Sequence, residues 1–229
     1  MASALENQAE LKNTQELSFE ERLGILVDAE MAARDSKRLT NRLQTAKLRL
    51  SACLEDLEIR ASRGFDRSLI TSLGTAAWIE RARNVIIEGP TGAGKTFLAC
   101  ALAQQACRRG YTAFYIRAPA LFEDLSIARA DGRYKRVLAS IARKHLLVLD
   151  DFALAPLTDN QRRDLLEIVE QRYELTSTIL VSQMPLTHWH EIIGDPTIAD
   201  AILDRLVHNA QVLVLKGESM RKKKAESNG

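Results

Sequence analysis

The sequence predicts an α/β fold in which a parallel sheet is covered by helices on both faces, preceded by a small all-helical segment. Three observations carry that expectation. From Asn84 onward, short apolar runs alternate with amphipathic helical stretches, the pattern of strands buried on both faces. The first such run, Val85-Ile86-Ile87, leads into Gly89-Pro90-Thr91-Gly92-Ala93-Gly94-Lys95-Thr96, and an apolar helical run begins at Phe97. This spacing, G-x-x-x-x-G-K-[ST] between strand and helix, is that of a phosphate-binding loop. Before Ser68 the chain is highly charged and its apolar residues recur at helical rather than strand spacing.

The elements follow in order. Ser18-Phe19-Glu20-Glu21 is a capping box with Ser18 as N-cap, and Leu23, Leu26, Val27 and Met31 continue it as a helix. A helix over 34–50 comes next. At about 100° per residue, Leu39, Leu43, Ala46 and Leu50 form one stripe, while Arg34, Arg38, Arg42 and Arg49 form a second beside it, offset locally only by Asp35. The arginine row is either a solvated face or a contact for a polyanion backbone. A loop through Arg63-Gly64-Phe65 leads to a helix from Leu69 that carries Leu73, Ala76 and Ala77 into Trp78. That indole belongs either in the core or beside an adenine. Strands are expected over 84–88, 112–117, 145–150, 178–182 and 211–215. Between them lie a helix over 96–109 stopped by Gly110, a helical stretch over 119–143 broken near Asp131-Gly132, a helix opened by the capping box Thr158-Asp159-Asn160-Gln161, and a helix over 198–207. Two domains are expected, a helical domain over 1–68 and the domain of the phosphate loop and sheet over 69–229.

Composition sets the bounds. At 229 residues there is room for one α/β domain and a small appendage. A hydrophobic share of 46% with 27% charged residues is that of a folded soluble protein. No apolar run approaches the ~18 residues of a membrane span, and the N-terminus lacks the basic-then-apolar layout of a secretory signal, so a cytoplasmic protein without a membrane partner is expected. The net charge of +2 decides nothing about nucleic acid; the distribution of charge has to. Cys53, Cys100 and Cys107 form no C-x-x-C pair and read as reduced thiols, and His188 and His190 have no third metal ligand nearby.

The chemistry gathers on strand ends. The loop's backbone N–H groups over Gly89 to Thr96, with Phe97 opening the next helical turn, are placed to wrap the phosphates of ATP, and the helix start adds its positive dipole end. Lys95 reaches the β/γ-phosphates and the Thr96 hydroxyl ligates Mg²⁺. One strand-helix-strand further on, Leu146-Leu147-Val148-Leu149 ends in Asp150-Asp151. Asp150 is the candidate for the Mg²⁺ shell and Asp151 for orienting the attacking water. The next strand ends in Ser182-Gln183, which puts Gln183 in reach of the γ-phosphate. Arg205 lies at the end of the helix over 198–207 and is the candidate arginine supplied across a subunit interface. Arg221 is a second candidate phosphate sensor, or the start of a solvated basic tail.

With those residues in view the chain resembles the IstB-like ATPases, transposition helpers of bacterial insertion sequences and kin of the helicase loader DnaC within the AAA+ class. The carrying stretches are Leu17 to Gly24, the phosphate loop, Asp131-Gly132-Arg133-Tyr134, Leu149 to Leu157, Ala199 to His208, and Gly217-Glu218-Ser219-Met220-Arg221. The resemblance implies a five-stranded P-loop AAA+ sheet in the order 5-1-4-3-2. It also implies ATP and Mg²⁺ as cofactors, slow DNA-linked ATP hydrolysis, homo-oligomerisation on double-stranded DNA, and delivery of a cognate transposase to target. It assigns phosphate and metal binding to Lys95 and Thr96, the metal to Asp150, hydrolysis to Asp151, the arginine finger to Arg205 and the second sensor to Arg221. Asp151 stands where the class has a glutamate, Gln183 where it has an asparagine, and the residues after Arg221 leave no room for a full helical lid, which shifts more of the site onto a neighbouring subunit.

DNA contact is expected from the stripe Arg34, Arg38, Arg42 and Arg49, or from the insertion carrying Arg129, Arg133, Lys135 and Arg136. Both would meet phosphates, so binding would be independent of sequence and steep in salt. A DnaC-like helicase loader is the alternative, which the region from Ser18 to Leu50 disfavours. A nucleotide kinase lacks an arginine-rich acceptor lid here, and a nucleotide-gated scaffold with negligible turnover is left open by Asp151.

Overall fold

A computed structural model describes Leu5 and residues 17–57 and 66–217. The chain divides into two compact units, Met1–Arg42 and Leu43–Gly229. Helix α1 (Phe19–Ala46) begins in the first unit and ends in the second. Its start is the expected capping box: the Ser18 amide donates to Glu21 Oε2 at 2.8 Å and the Glu21 amide to Ser18 Oγ at 3.3 Å. Its end is a correction. The helix stops at Ala46, four residues before the expected Leu50, because Lys47 turns into the left-handed region at φ 51°. Arg49 therefore leaves the stripe that contains Arg34, Arg38 and Arg42.

In the second unit, α2 (Arg67–Gly74) is capped by Asp66, whose carboxylate accepts from the amides of Ser68 and Leu69. The left-handed Ala76 separates it from the short α3 (Ala77–Glu80), so the single expected helix is two. Trp78 is buried there and its Nε1 donates to Leu73 O at 3.0 Å, which places it in the core. The alternation then runs β1 (Asn84–Glu88), α4 (Lys95–Arg108), β2 (Ala113–Arg117), α5 (Ala118–Ala130), α6 (Tyr134–Ala142), β3 (Leu146–Phe152), α7 (Asp159–Arg172), β4 (Ser177–Ser182), α8 (Trp189–Ile193), α9 (Pro196–Val207) and β5 (Ala210–Val214). The break at Asp131-Gly132 and the Thr158–Gln161 capping box stand as expected.

The sheet order is β2-β3-β4-β1-β5, every neighbouring pair parallel, which is the expected 5-1-4-3-2 order. Side chains alternate across the sheet. Ile86, Leu147, Leu149 and Leu180 face a core built with Leu121, Phe122, Leu125, Leu165, Ile168, Trp189 and Ile202 from α5, α7, α8 and α9. The α4 helix, with Leu98, Ala99, Ala101 and Leu102 fully buried, covers the opposite face. Strands buried on both faces and joined by helices open at their C-terminal ends, where ligands of such folds collect.

The other end of the sheet is fastened differently. Asn84, the first residue of β1, donates to the carbonyls of Arg205 and Leu206 at 3.3 and 3.1 Å and accepts from the Thr178 amide at 2.9 Å. Arg172 lies buried beside it, donating to Ile141 O, Lys144 O, Ser177 O and Thr178 Oγ1, with burial pushing its pKa down to about 9.

Candidate nucleotide site

The site is built from the C-terminal ends of β1, β3 and β4. At the end of β1, the Glu88 carbonyl accepts from the Leu215 amide and its Oε2 from the Leu186 amide, each at 2.8 Å, which ties the root of the loop to two other segments. Gly89 follows at φ 146°, and a Cβ there would lie 2.3 Å from Leu215 O. Gly89→Ala is therefore expected to destabilise the domain by about 2 kcal/mol or more, because neither the backbone angle nor the carbonyl can yield cheaply; a chemical denaturation curve measures it. Gly94, at φ 97°, turns the chain directly into α4. The first amides of that helix have no intrahelical acceptor and point into the loop, together with the positive end of the dipole.

Lys95 is nearly buried, and its ammonium donates to Gly89 O at 2.7 Å and Pro90 O at 2.8 Å. An ammonium has three N–H groups, so one is left for a phosphate oxygen. Burial holds the Lys95 pKa below its usual value, against the opposing pull of the Asp150 and Asp151 charges. A triphosphate brought to the loop would favour the charged form further.

Asp150 is 1% exposed at the end of β3. Its Oδ2 accepts from Thr96 Oγ1 at 2.9 Å and from the Tyr115 hydroxyl at 2.7 Å, and its Oδ1 accepts from the Asp151 amide at 2.8 Å. A carboxylate oxygen and a threonine hydroxyl side by side are hard oxygen donors of the kind Mg²⁺ takes, so these two residues fit that ion. Tyr115 was not singled out in the sequence. It lies on β2 opposite Val148, and its pKa is raised by burial and by the bond to Asp150. The signal available was its period-two placement on β2 with Ala113 and Arg117; strand register, which decides whom it meets, is not written locally.

Asp151 owes its position to a bulge. Leu149 pairs with Leu180, but Phe152 pairs with Ser182, so β3 carries one residue more than β4 across that interval. Asp151 takes φ 56° and Ala153 φ 60°. Bulges beside active sites re-aim side chains. Here the bulge lets Phe152 return to the core while the Asp151 carboxylate comes within 4.0 Å of the Arg49 guanidinium. Gln183 follows β4, which lies between β1 and β3, and its Oε1 accepts from Thr91 Oγ1 of the loop at 2.6 Å. The structure thus gathers Gly89 to Phe97, Asp150, Asp151 and Gln183 at one end of the sheet.

Arg205 is not among them. It sits in the last turn of α9 at the Asn84 end of β1, opposite the loop. Its Nη1 donates to Ala201 O at 2.9 Å, its Nη2 lies 3.4 Å from Glu170 Oε1, and its guanidinium lies 5.9 Å from the centre of the Tyr173 ring. Arg221 lies outside the described residues.

The expected basic groups are partly engaged. On α1, Arg34 pairs with Glu30 at 2.8 Å, so Glu30 joins Asp35 in offsetting the stripe, and Arg38 pairs with Asp35 at 3.3 Å. Arg129 donates to the buried Asp164 at 2.5 Å and stacks 4.4 Å from the Tyr134 ring centre, while Arg133 pairs with Asp131. Lys135 and Arg136 lie exposed on α6. Among the described residues no helix is long and apolar enough to cross a membrane.

The strand order, the glycine loop after β1 and the acids ending β3 define a P-loop ATPase of the AAA+ class. The chain belongs to the IstB-like ATP binding protein family, whose model matches residues 1–228. It is 48% identical over 222 residues to a protein of Sinorhizobium fredii named as an insertion sequence ATP-binding protein, covering 97% of this chain and 91% of that one. A Pseudomonas fluorescens protein of insertion sequence IS1162, likewise named ATP-binding, is 50% identical over 186 residues, covering 81% of this chain and 80% of its own length. Among solved structures, the DnaC helicase loader matches with a TM-score of 0.61 at 21% identity, covering 75% of this chain and all of that one. The replication initiator DnaA bound to AMPPCP and single-stranded DNA matches with a TM-score of 0.61 at 19% identity, covering 79% of this chain and 56% of that one. At these identities the two structures establish a shared fold. The protein is thus an ATPase of the insertion-sequence type.

Proposed function

We propose that this ATPase is the assembly factor of its insertion sequence. It binds ATP with Mg²⁺, oligomerises on duplex DNA, and directs the cognate transposase to its target in the cytoplasm. The observation that carries the assembly reading is the placement of Arg205, at the far end of the sheet from its own loop and partly exposed. A cation there has no path to its own γ-phosphate, but it can serve the site of a neighbouring subunit in a head-to-tail contact.

In this reading the loop amides and Lys95 grip the triphosphate, and Thr96 and Asp150 hold the metal. Held there, Mg²⁺ would supply neutralisation of the phosphate charge. Asp151 orients the water and accepts its proton, Gln183 reads the γ-phosphate from between the loop and the acids, and Arg221 serves as a second sensor. The helicase-loader alternative rests on a likeness of fold alone, whereas the sequence relatives belong to insertion sequences. Electron microscopy of the purified protein with ATP, with and without duplex DNA, tests the proposal: DNA-bound oligomers that need ATP support it, and monomers under all conditions refute it.

Contact with DNA is assigned first to the α1 stripe. Exposed pairs such as Arg34–Glu30 and Arg38–Asp35 contribute little to stability, so a phosphate can displace the carboxylate. Changing Arg34, Arg38 and Arg42 together to Ala is expected to weaken duplex binding evenly across sequences. It should also flatten the slope of log K against log salt by about 2 to 3, one phosphate contact per arginine. Fluorescence anisotropy over a salt series measures this; an unchanged slope moves the DNA surface elsewhere.

A further inference from the structure

We propose that Arg49 is a built-in restraint on ATP hydrolysis, a positioning residue that holds the Asp151 carboxylate away from the attacking water. The inference rests on the reading of Asp151 as the water-orienting acid.

Three observations point the same way. First, Arg49 lies in the non-helical segment that follows α1, outside the strand-helix units that build the site, yet its guanidinium reaches within 4.0 Å of Asp151 Oδ2. Second, the two acids are held unequally. Asp150 is fixed by Thr96, Tyr115 and the Asp151 amide, whereas the partner the structure gives the Asp151 side chain is Arg49. Third, both ends of the pair remain reachable by solvent, with side-chain exposures of 45% for Arg49 and 24% for Asp151. A solvent-reachable ion pair of this kind is weak and exchangeable.

The chemistry follows from charge. To orient a water and take its proton, a carboxylate must present a free, basic oxygen. A guanidinium beside it draws that oxygen toward itself and away from the position a water would need. The guanidinium is a cation at every working pH, and the neighbouring Tyr115 holds its pKa above the usual value. Tyr115 also donates to Asp150. One brace therefore fixes the metal ligand firmly and the water-orienting acid loosely. Release of Arg49 frees the second without disturbing the first.

Four full-length proteins test this: the parent, Arg49→Gln, Arg49→Lys, and Arg49→Gln combined with Asp151→Asn. Each is assayed for binding of a fluorescent ATP analogue and for steady-state hydrolysis. Loss of an exposed pair predicts a rise in kcat of about three- to fivefold for Arg49→Gln, with KM and nucleotide affinity unchanged. Arg49→Lys keeps the charge and holds the parental rate, and the double variant loses the gain, because the effect runs through Asp151. Structural damage can only lower kcat, so a gain distinguishes restraint from loss of packing. If Arg49→Gln binds the analogue as the parent does and turns over at or below the parental rate, the restraint is refuted while the ATPase reading stands. If the gain survives in the double variant, Arg49 does not act through Asp151 and the inference is likewise overturned. If the parent itself fails to bind the analogue, the reading of the site fails first and takes the inference with it.

Discussion

Lys95→Ala removes nucleotide binding. The ammonium is nearly buried against the Gly89 and Pro90 carbonyls, at the start of the helix that points its amides into the loop. A charge-assisted hydrogen bond of this kind is worth about 1.5–3 kcal/mol, and the lysine also offsets the charge of the triphosphate. Affinity for ATP is therefore expected to fall by about two orders of magnitude or more. The fold should survive, because burial already disfavours the charged lysine and its removal relieves that cost. Titration with a fluorescent ATP analogue, alongside a circular dichroism spectrum, reads both. Parental affinity in a folded variant would mean that the triphosphate is held elsewhere.

Arg205→Ala separates binding from turnover. The residue lies at the Asn84 end of β1 and contacts Glu170 and Tyr173, so its loss leaves the loop, Asp150 and Thr96 untouched. Nucleotide affinity is expected to stay at the parental value. Turnover is expected to fall by about 10³-fold, the contribution of an arginine finger to phosphoryl transfer. Lysine should not rescue it, because an ammonium lacks the planar fork that meets two phosphate oxygens at once. An assembled Arg205→Ala protein that hydrolyses ATP at the parental rate would exclude a role for this arginine at a neighbouring site.

Much of this arrangement is legible in the sequence because its signals are local. The loop spacing, the Asp150 strand end, the Thr158 and Ser18 capping boxes and the break at Gly132 each depend on residues a few positions apart. What escaped depends on contacts between distant segments or on backbone angles with no residue signature. Lys47 ends α1 in a left-handed turn without the glycine that usually marks one, so the helical pattern runs on to Leu50 in the sequence and puts Arg49 in a row that it leaves in the structure. The bulge at Asp151 is likewise made by an aspartate at positive φ rather than by a glycine. Tyr115 meets Asp150, and Gln183 meets Thr91, through the registry of four strands and the loop after β1, which no local pattern encodes. Arg129 has the sequence context of a DNA contact, and its bond to the buried Asp164 forms only once α5, α6 and α7 are packed.

The central claim is that one chain grips the triphosphate and the next completes the site. Mixing the two variants tests it most directly. Lys95→Ala has lost its own nucleotide site but keeps Arg205; Arg205→Ala keeps its nucleotide site but has no finger to give. Each alone should be inactive. An equimolar mixture on duplex DNA should recover hydrolysis at about a quarter of the parental rate, the share of random head-to-tail contacts that pair an intact loop with an intact arginine. A mixture as inactive as its two components, under conditions where the parent is active and the variants assemble together, would contradict the account.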